Sequence, residues 1–143
     1  VPVVIMHMQG SPKTMQEKPS YQDVVADILS DFRKTIAKAE AAGIKDIIID
    51  PGIGFGKTLS HNLEILGNLD RFKSLGKPVL IGTSRKSFIG ALTGAEVNDR
   101  IAGTISSNIL AVINGANIVR VHDVKEIRQA LVIANAILEN RKQ

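Results

Sequence analysis

Arg120 and His122 stand two residues apart in a short, β-rich run. In an extended strand that spacing puts both side chains on one face and Val119 and Val121 on the other. Unpaired buried charge is costly, so two such groups facing an interior must be paired or must bind something. The functional reading is an anion site, and the structural alternative is an ion pair with Asp123 or Asp50. A second candidate is Gly82-Thr83-Ser84-Arg85-Lys86-Ser87-Phe88-Ile89-Gly90, where two cations sit at the expected start of a helix. The helix dipole favours negative charge there, so an anion bound at the N-terminus would remove the conflict. Ser87 and the free backbone N–H groups would help to hold it. The alternative is a solvated basic turn.

The stretch Asp50-Pro51-Gly52-Ile53-Gly54-Phe55-Gly56-Lys57-Thr58 is the most distinctive. It is one residue out of step with both nucleotide motifs. A phosphate loop would need glycine where Pro51 stands, and the dinucleotide fingerprint would need its third glycine in place of Lys57. What remains is an acid at a strand end followed by glycines that admit a close backbone or ligand. A tight turn capped by Asp50 is the plain alternative. His7 reads as a packing residue and His61 as a surface residue. With no paired histidines, no protein-ligated transition-metal site is expected.

The elements that must carry these groups follow from apolar patterning. Four short β-rich runs, 3–8, 46–50, 79–84 and 117–122, are each followed by helical periodicity. Ser20 and Asp23 make a box-like start for the first helix, which Gly43 ends, and Ser60 is the expected cap of the second. A short helix near 86–92, a longer one near 99–114 and a last one over about 124–140 complete the pattern. Successive strand–helix units imply parallel strands, either in an open doubly wound sheet or in an eight-fold α/β barrel. The units recur every ~35 residues, close to one eighth of a ~250-residue barrel. Unusual polar residues follow all four strands, as at a barrel rim, whereas an open sheet concentrates its chemistry at one switch point. The expectation is a (β/α)8 barrel, with residues 1–143 contributing about four βα units of a single domain.

Composition narrows the partners. The net charge of +4 is spread along the chain, and four Phe, one Tyr and no Trp offer few stacking surfaces, so nucleic acid is a poor candidate. A small anionic ligand explains the charge at least as well. No apolar run approaches the ~18 residues of a membrane span. With no cysteine, disulfides and thiolate zinc are excluded, which fits a reducing compartment. The opening Val1-Pro2-Val3-Val4-Ile5 lacks signal-peptide features and an initiator methionine, so further residues are expected upstream.

Taken together, Met6-His7-Met8-Gln9-Gly10-Ser11-Pro12-Lys13-Thr14-Met15, the Asp50–Lys57 glycine loop, Gly82-Thr83-Ser84-Arg85-Lys86-Ser87 and Arg120-Val121-His122-Asp123-Val124 resemble the bacterial dihydropteroate synthase family in order and spacing. The resemblance covers essentially the whole chain. It implies an eight-stranded TIM barrel of which this chain is the C-terminal half, strands five to eight. It implies a cytoplasmic, Mg²⁺-using transferase of folate biosynthesis, a sulfonamide target, that condenses a pterin diphosphate with para-aminobenzoate. It also implies a homodimer through the last two helices.

The implied substrate-binding residues are Met6, Asp50, Phe55, Leu80, Gly82, Arg85, Lys86, Ser87, Arg120 and His122, with Lys86, Arg120 and His122 the catalytic group. Asp50 would accept the pterin's amino and ring N–H groups, and Lys86 would reach its carbonyl side. Arg120 would lie against the ring and His122 would contact the diphosphate. Met6 and Leu80 would be apolar walls, while Phe55, Arg85 and Ser87 would face para-aminobenzoate. Asp50, Lys86, Arg120 and the strand end at Met6 are expected to line one cavity, with His122 at its outer edge. Ile53 departs from relatives that carry a second phenylalanine. The family's first four strands, with an asparagine for the metal-diphosphate and two mobile loops, are absent, so no metal ligand is expected in this chain. Another pterin barrel, such as a methyltetrahydrofolate methyltransferase, would not be expected to carry the Ser84-Arg85-Lys86-Ser87 run. A catalytically silent binding or assembly module is the remaining alternative.

Overall fold

A computed structural model describes residues 1–10, 15 and 19–141. Ser11, Pro12, Lys13 and Thr14 of the first motif lie outside the described residues. The strands are β1 (Val3–Met6), β2 (Ile47–Asp50), β3 (Leu80–Ile81) and β4 (Ile118–Val119). The helices are α1 (Val24–Ala41), α2 (Leu59–Gly67), α3 (Ser87–Thr93), α4 (Ile101–Ile113) and α5 (Val124–Glu139). Strands β1 and β2 pair in parallel from Val3 opposite Ile47 to Met6 opposite Asp50. A parallel bridge between Ile49 and Val79 leads to β3, and Leu80 and Ile81 pair with Ile118 and Val119. Spatial order therefore equals chain order. A doubly wound sheet would reverse at its switch point, whereas a barrel wall continues in one sense. The described residues form a partial α/β barrel.

Strands β3 and β4 are shorter than their apolar runs because the residues after them take other partners. Arg120 N–H still donates to Ile81 O at 2.8 Å, but Lys86 N–H turns back onto Thr83 O at 3.1 Å. The core lies between sheet and helices. Ile47, Ile49, Val79 and Ile81 pack with Val25, Ile28 and Phe32 of α1, with Ile65 of α2, and with Leu69 and Phe72 of the following 3-10 turn. Burying each of the large side chains contributes about 1.5–3 kcal/mol. Val4 and Met6 alternate with this set and remain exposed, as does Ile118. They belong to the face a closed barrel turns inward. Among the described residues no helix is long and apolar enough to cross a membrane.

Two expected caps are corrected. Asp23 caps α1 through its carboxylate, which accepts from Ala26 N–H at 2.8 Å. Ser20, expected to join it, instead exchanges two main-chain bonds with the Gln9 amide, at 2.8 and 3.1 Å. Helix α2 is capped by Thr58 and not by Ser60. The Thr58 hydroxyl accepts from His61 N–H, and His61 Nδ1 accepts from Thr58 N–H, both at 3.2 Å. His61 also sets its ring edge-on to Tyr21, so it does more than face solvent.

Gly52 is the tightest point between β1 and the glycine loop. It has φ +73°, and a Cβ there would collide with the carbonyl oxygen of His7. Gly52→Ala is expected to lower stability by roughly 2–4 kcal/mol, from left-handed strain plus backbone displacement. A urea titration of the two proteins measures this as a lower midpoint at unchanged slope.

Candidate substrate site at the strand ends

Gly82, Ser84, Lys86, Arg120, Val121 and His122 line a pocket of about 360 Å³ beyond the C-terminal ends of β3 and β4. The Arg120 side chain lies across Gly82, where a Cβ would stand 3.0 Å from Nη2; glycine leaves that space to the guanidinium. His122 is fixed by Ser84, whose Oγ lies 2.9 Å from the ring Nδ1 and accepts from His122 N–H at 3.2 Å. Lys86 is the residue before α3, and its Nζ sits 4.1 Å from the Phe55 ring centroid. That cation–π contact holds the ammonium at the mouth, with its stem against Gly54.

Asp50 lies at the end of β2, buried, and accepts Gly52 N–H at 2.8 Å. Burial pushes its carboxyl above the usual range, and the Gly52 N–H, Arg120, Lys86 and Lys57 oppose that push. Burial and then Arg120 lower the Lys86 ammonium, while Asp50 supports it. A buried acid is thus coupled to the cations of the neighbouring pocket. Such environment-shifted groups cluster where proteins bind or transform ligands.

Lys86, Arg120, Gly82 and His122 share the pocket, and Val121, expected on the opposite face, lines it with them because β4 ends at Val119. Asp50 is coupled to Lys86 and Arg120 but is not part of the pocket lining. Met6 stands opposite Asp50 in register, and Leu80 lines an open groove with Ile118, Arg120 and α5. Arg120 does not pair with Asp123. Arg85 takes that carboxylate through Nε at 3.1 Å and Nη2 at 2.6 Å. Ser87 is exposed and is not part of this pocket's lining, to which Ser84 contributes.

Lys57 is not among the residues expected at the site. Buried, it donates to Phe55 O at 2.9 Å and contacts His7 Nδ1 at 3.2 Å, tying the glycine loop to the end of β1. Burial brings its ammonium down to about 8, against the pull of Asp50. The signal was a lysine inside a glycine loop that no nucleotide motif explained.

His7 packs its ring near Phe32 and Tyr21, as expected of a core histidine. Burial, then Lys57, lowers its pKa from 6.5 to about 4, against Asp31. As pH falls below 6.5 the unfolded imidazole takes up a proton, whereas the folded one resists until about 4. Stability should therefore fall with pH across that window, by about 2 kcal/mol after allowance for solvent screening. Denaturant midpoints at pH 7 and 4.5 for this chain and for His7→Gln measure it. The histidine-dependent part should vanish in the variant.

The family model described as pterin binding enzyme matches residues 1–122. The dihydropteroate synthase of Escherichia coli (strain K12) is 45% identical over 144 residues, covering 99% of this chain and 51% of the relative. The solved dihydropteroate synthase of Stenotrophomonas maltophilia, with active site-bound imidazole, is similar at TM-score 0.96 and 44% identity, over 99% of this chain and 55% of that one. The Thermus thermophilus enzyme, in complex with 6HMPPP, gives TM-score 0.93 and 41% identity, over 96% and 56%. The chain spans about half the length of the curated relatives it matches. By sequence and by fold, this chain belongs to the pterin binding enzyme family.

Proposed function

We propose that this chain is the C-terminal half of a cytoplasmic dihydropteroate synthase, strands five to eight of its barrel. The enzyme joins 6-hydroxymethyl-7,8-dihydropterin diphosphate to para-aminobenzoate and releases pyrophosphate. The observation that carries the proposal is the buried Asp50 carboxylate, coupled to the Lys86 and Arg120 cations that share a pocket with His122. A carboxylate accepts two N–H bonds at once, which suits the amino and ring N–H edge of a pterin. Lys86 reaches the pterin carbonyl side, and Arg120 covers the ring and approaches the diphosphate with His122. Met6, Leu80 and Gly82 bound the ring. Phe55, Arg85 and Ser87 face para-aminobenzoate, Arg85 retaining donors beyond those given to Asp123. The complexes of the Thermus relative with 4-aminobenzoate and with 6HMPPP support this substrate pair.

In the reaction the bond from the pterin methylene carbon to the diphosphate oxygen breaks, and the arylamine nitrogen bonds to that carbon and then loses a proton. Negative charge collects on the leaving diphosphate. Cations held in advance are the means of stabilising it, each worth ~3 kcal/mol where water is excluded. Little is asked of a general base, and the pocket holds no carboxylate placed as one. Mg²⁺ would assist departure of the diphosphate. Among the described residues no three His, Asp or Glu side chains converge, and the pocket has Lys86 and Arg120 but no carboxylate, so these residues do not fit the ion. Its protein ligand is assigned outside this chain.

The enzyme is a homodimer in this reading. Leu110 and Ile113 of α4 and Val132, Ile133 and Ile137 of α5 are exposed, more apolar surface than one core stripe needs. A full-length protein of monomeric mass at every concentration, measured by sedimentation, would contradict this. The activity itself is tested by complementation. A chimaera with this chain in place of the matched half of the Escherichia coli relative should support growth of a strain lacking its own synthase. Lys86→Ala in the chimaera should abolish that growth. A folded chimaera that never complements would overturn the proposal.

A further inference from the structure

Arg85 is the single non-glycine residue with positive φ, +56°, among the described residues. An L residue there is strained and persists only where its surroundings over-determine it. Helix α4 supplies most of that constraint. Arg100, which immediately precedes α4, and Thr104 and Asn108 within it recur at a spacing of four, so they share one stripe. Thr104 Oγ1 accepts Arg85 N–H at 3.1 Å. Arg100 Nη1 donates to Arg85 O at 3.0 Å and to Lys86 O at 3.4 Å, while its Nε is held by Ala95 O at 3.0 Å. Asn108 Nδ2 and Ser107 Oγ both donate to Thr83 Oγ1 at 2.9 Å. Gly90 leaves room for this, since a Cβ there would collide with the Arg100 guanidinium. Thr83, Thr104 and Asn108 are fully buried.

We propose that Arg100, Thr104 and Asn108 are positioning residues that clamp Arg85 in the left-handed conformation. The clamp turns the Arg85 side chain outward to Asp123 and the Lys86 side chain inward to Phe55 and the pocket. The two adjacent cations point apart because the backbone between them is held at a φ it would not adopt freely. Released, Arg85 relaxes to a right-handed or extended φ, and Lys86 swings off the Phe55 ring. The inference rests on the proposed reading of the pocket as an anion site, and it deepens that reading by naming what sets Lys86.

The test uses the 143-residue chain, inorganic pyrophosphate as probe and the Arg85 backbone coupling constant as the conformational readout. Arg100→Gln removes the clamp together with a charge, whereas Gly90→Ala displaces the guanidinium and keeps the charge. Both should shift the Arg85 coupling away from its left-handed value and weaken pyrophosphate binding about tenfold, the scale of one strained residue. Adding Arg85→Gly to Arg100→Gln should restore most of the affinity, because glycine takes that φ freely. A merely structural role would leave affinity unchanged in the folded variants, or give a loss that glycine does not relieve, and either result overturns the proposal. If Arg100→Gln does not fold, Gly90→Ala decides. If the parent chain binds no pyrophosphate, the anion reading of the pocket fails, and the Arg85 coupling still decides the clamp.

Discussion

The 143-residue chain assayed by itself is expected to form no measurable dihydropteroate. Strands β1 and β4 each have a neighbour on one side only among the described residues, and Val4, Met6 and Ile118 are exposed on the face that closure would cover. A closed barrel removes both edges and fills that face with side chains from opposite strands. The same incompleteness governs the chemistry. Lys86, Arg120 and His122 can surround one side of a diphosphate, but the remaining pterin, diphosphate and metal contacts are assigned outside the chain. Losing several transition-state contacts at ~3 kcal/mol each lowers the rate by many powers of ten. A product assay with this chain, then with the complementary half of the Escherichia coli relative added, checks this. Turnover should appear only in the mixture. Full turnover by the chain alone would show that the site is complete within these residues.

Asp50→Asn should weaken binding of a simple pterin and of its diphosphate ester alike, by about 1–3 kcal/mol, or roughly ten- to hundredfold. The amide presents a donor to an edge that also donates. His122→Ala should spare the simple pterin and weaken the ester, since the proposed role of this pocket-lining imidazole, held by Ser84, is to contact the diphosphate. Calorimetric titration of both ligands into the chimaera separates the two effects, and equal losses for both ligands in both variants would contradict the assigned roles.

Much of this arrangement was legible in the residues, and the failures have identifiable causes. The spacing of apolar residues places α1, α4 and α5 within a few positions, and Asp23 and Gly43 end α1 as their side-chain chemistry requires. The cap of α2 was misplaced because the box is closed by a histidine in place of the usual Glu or Gln. Strands β3 and β4 were overextended because apolar runs carry no mark of where main-chain bonds give way to side-chain ones. Arg120 and His122 line one pocket, but β4 ends at Val119 and Val121 lines that pocket too, so strand alternation does not account for their meeting. The partner of Asp123 was not legible. Arg85 lies 38 residues away, and only the barrel's adjacency of β3 and β4 brings the two together. The role of the polar residues on α4 is hidden in the sequence for a related reason. Arg100, Thr104 and Asn108 look like ordinary interruptions of an apolar helix until the turn they hold is seen.

In the proposed function these residues supply the pterin-diphosphate side of a synthase site. The most direct measurement is dihydropteroate formation by the purified chimaera, in which this chain replaces the matched half of the Escherichia coli relative. Turnover should require both substrates and fall by about a hundredfold or more in Arg120→Ala, as for loss of one preorganised charge contact. A folded chimaera that makes no dihydropteroate, or one whose turnover survives Arg120→Ala unchanged, would contradict it.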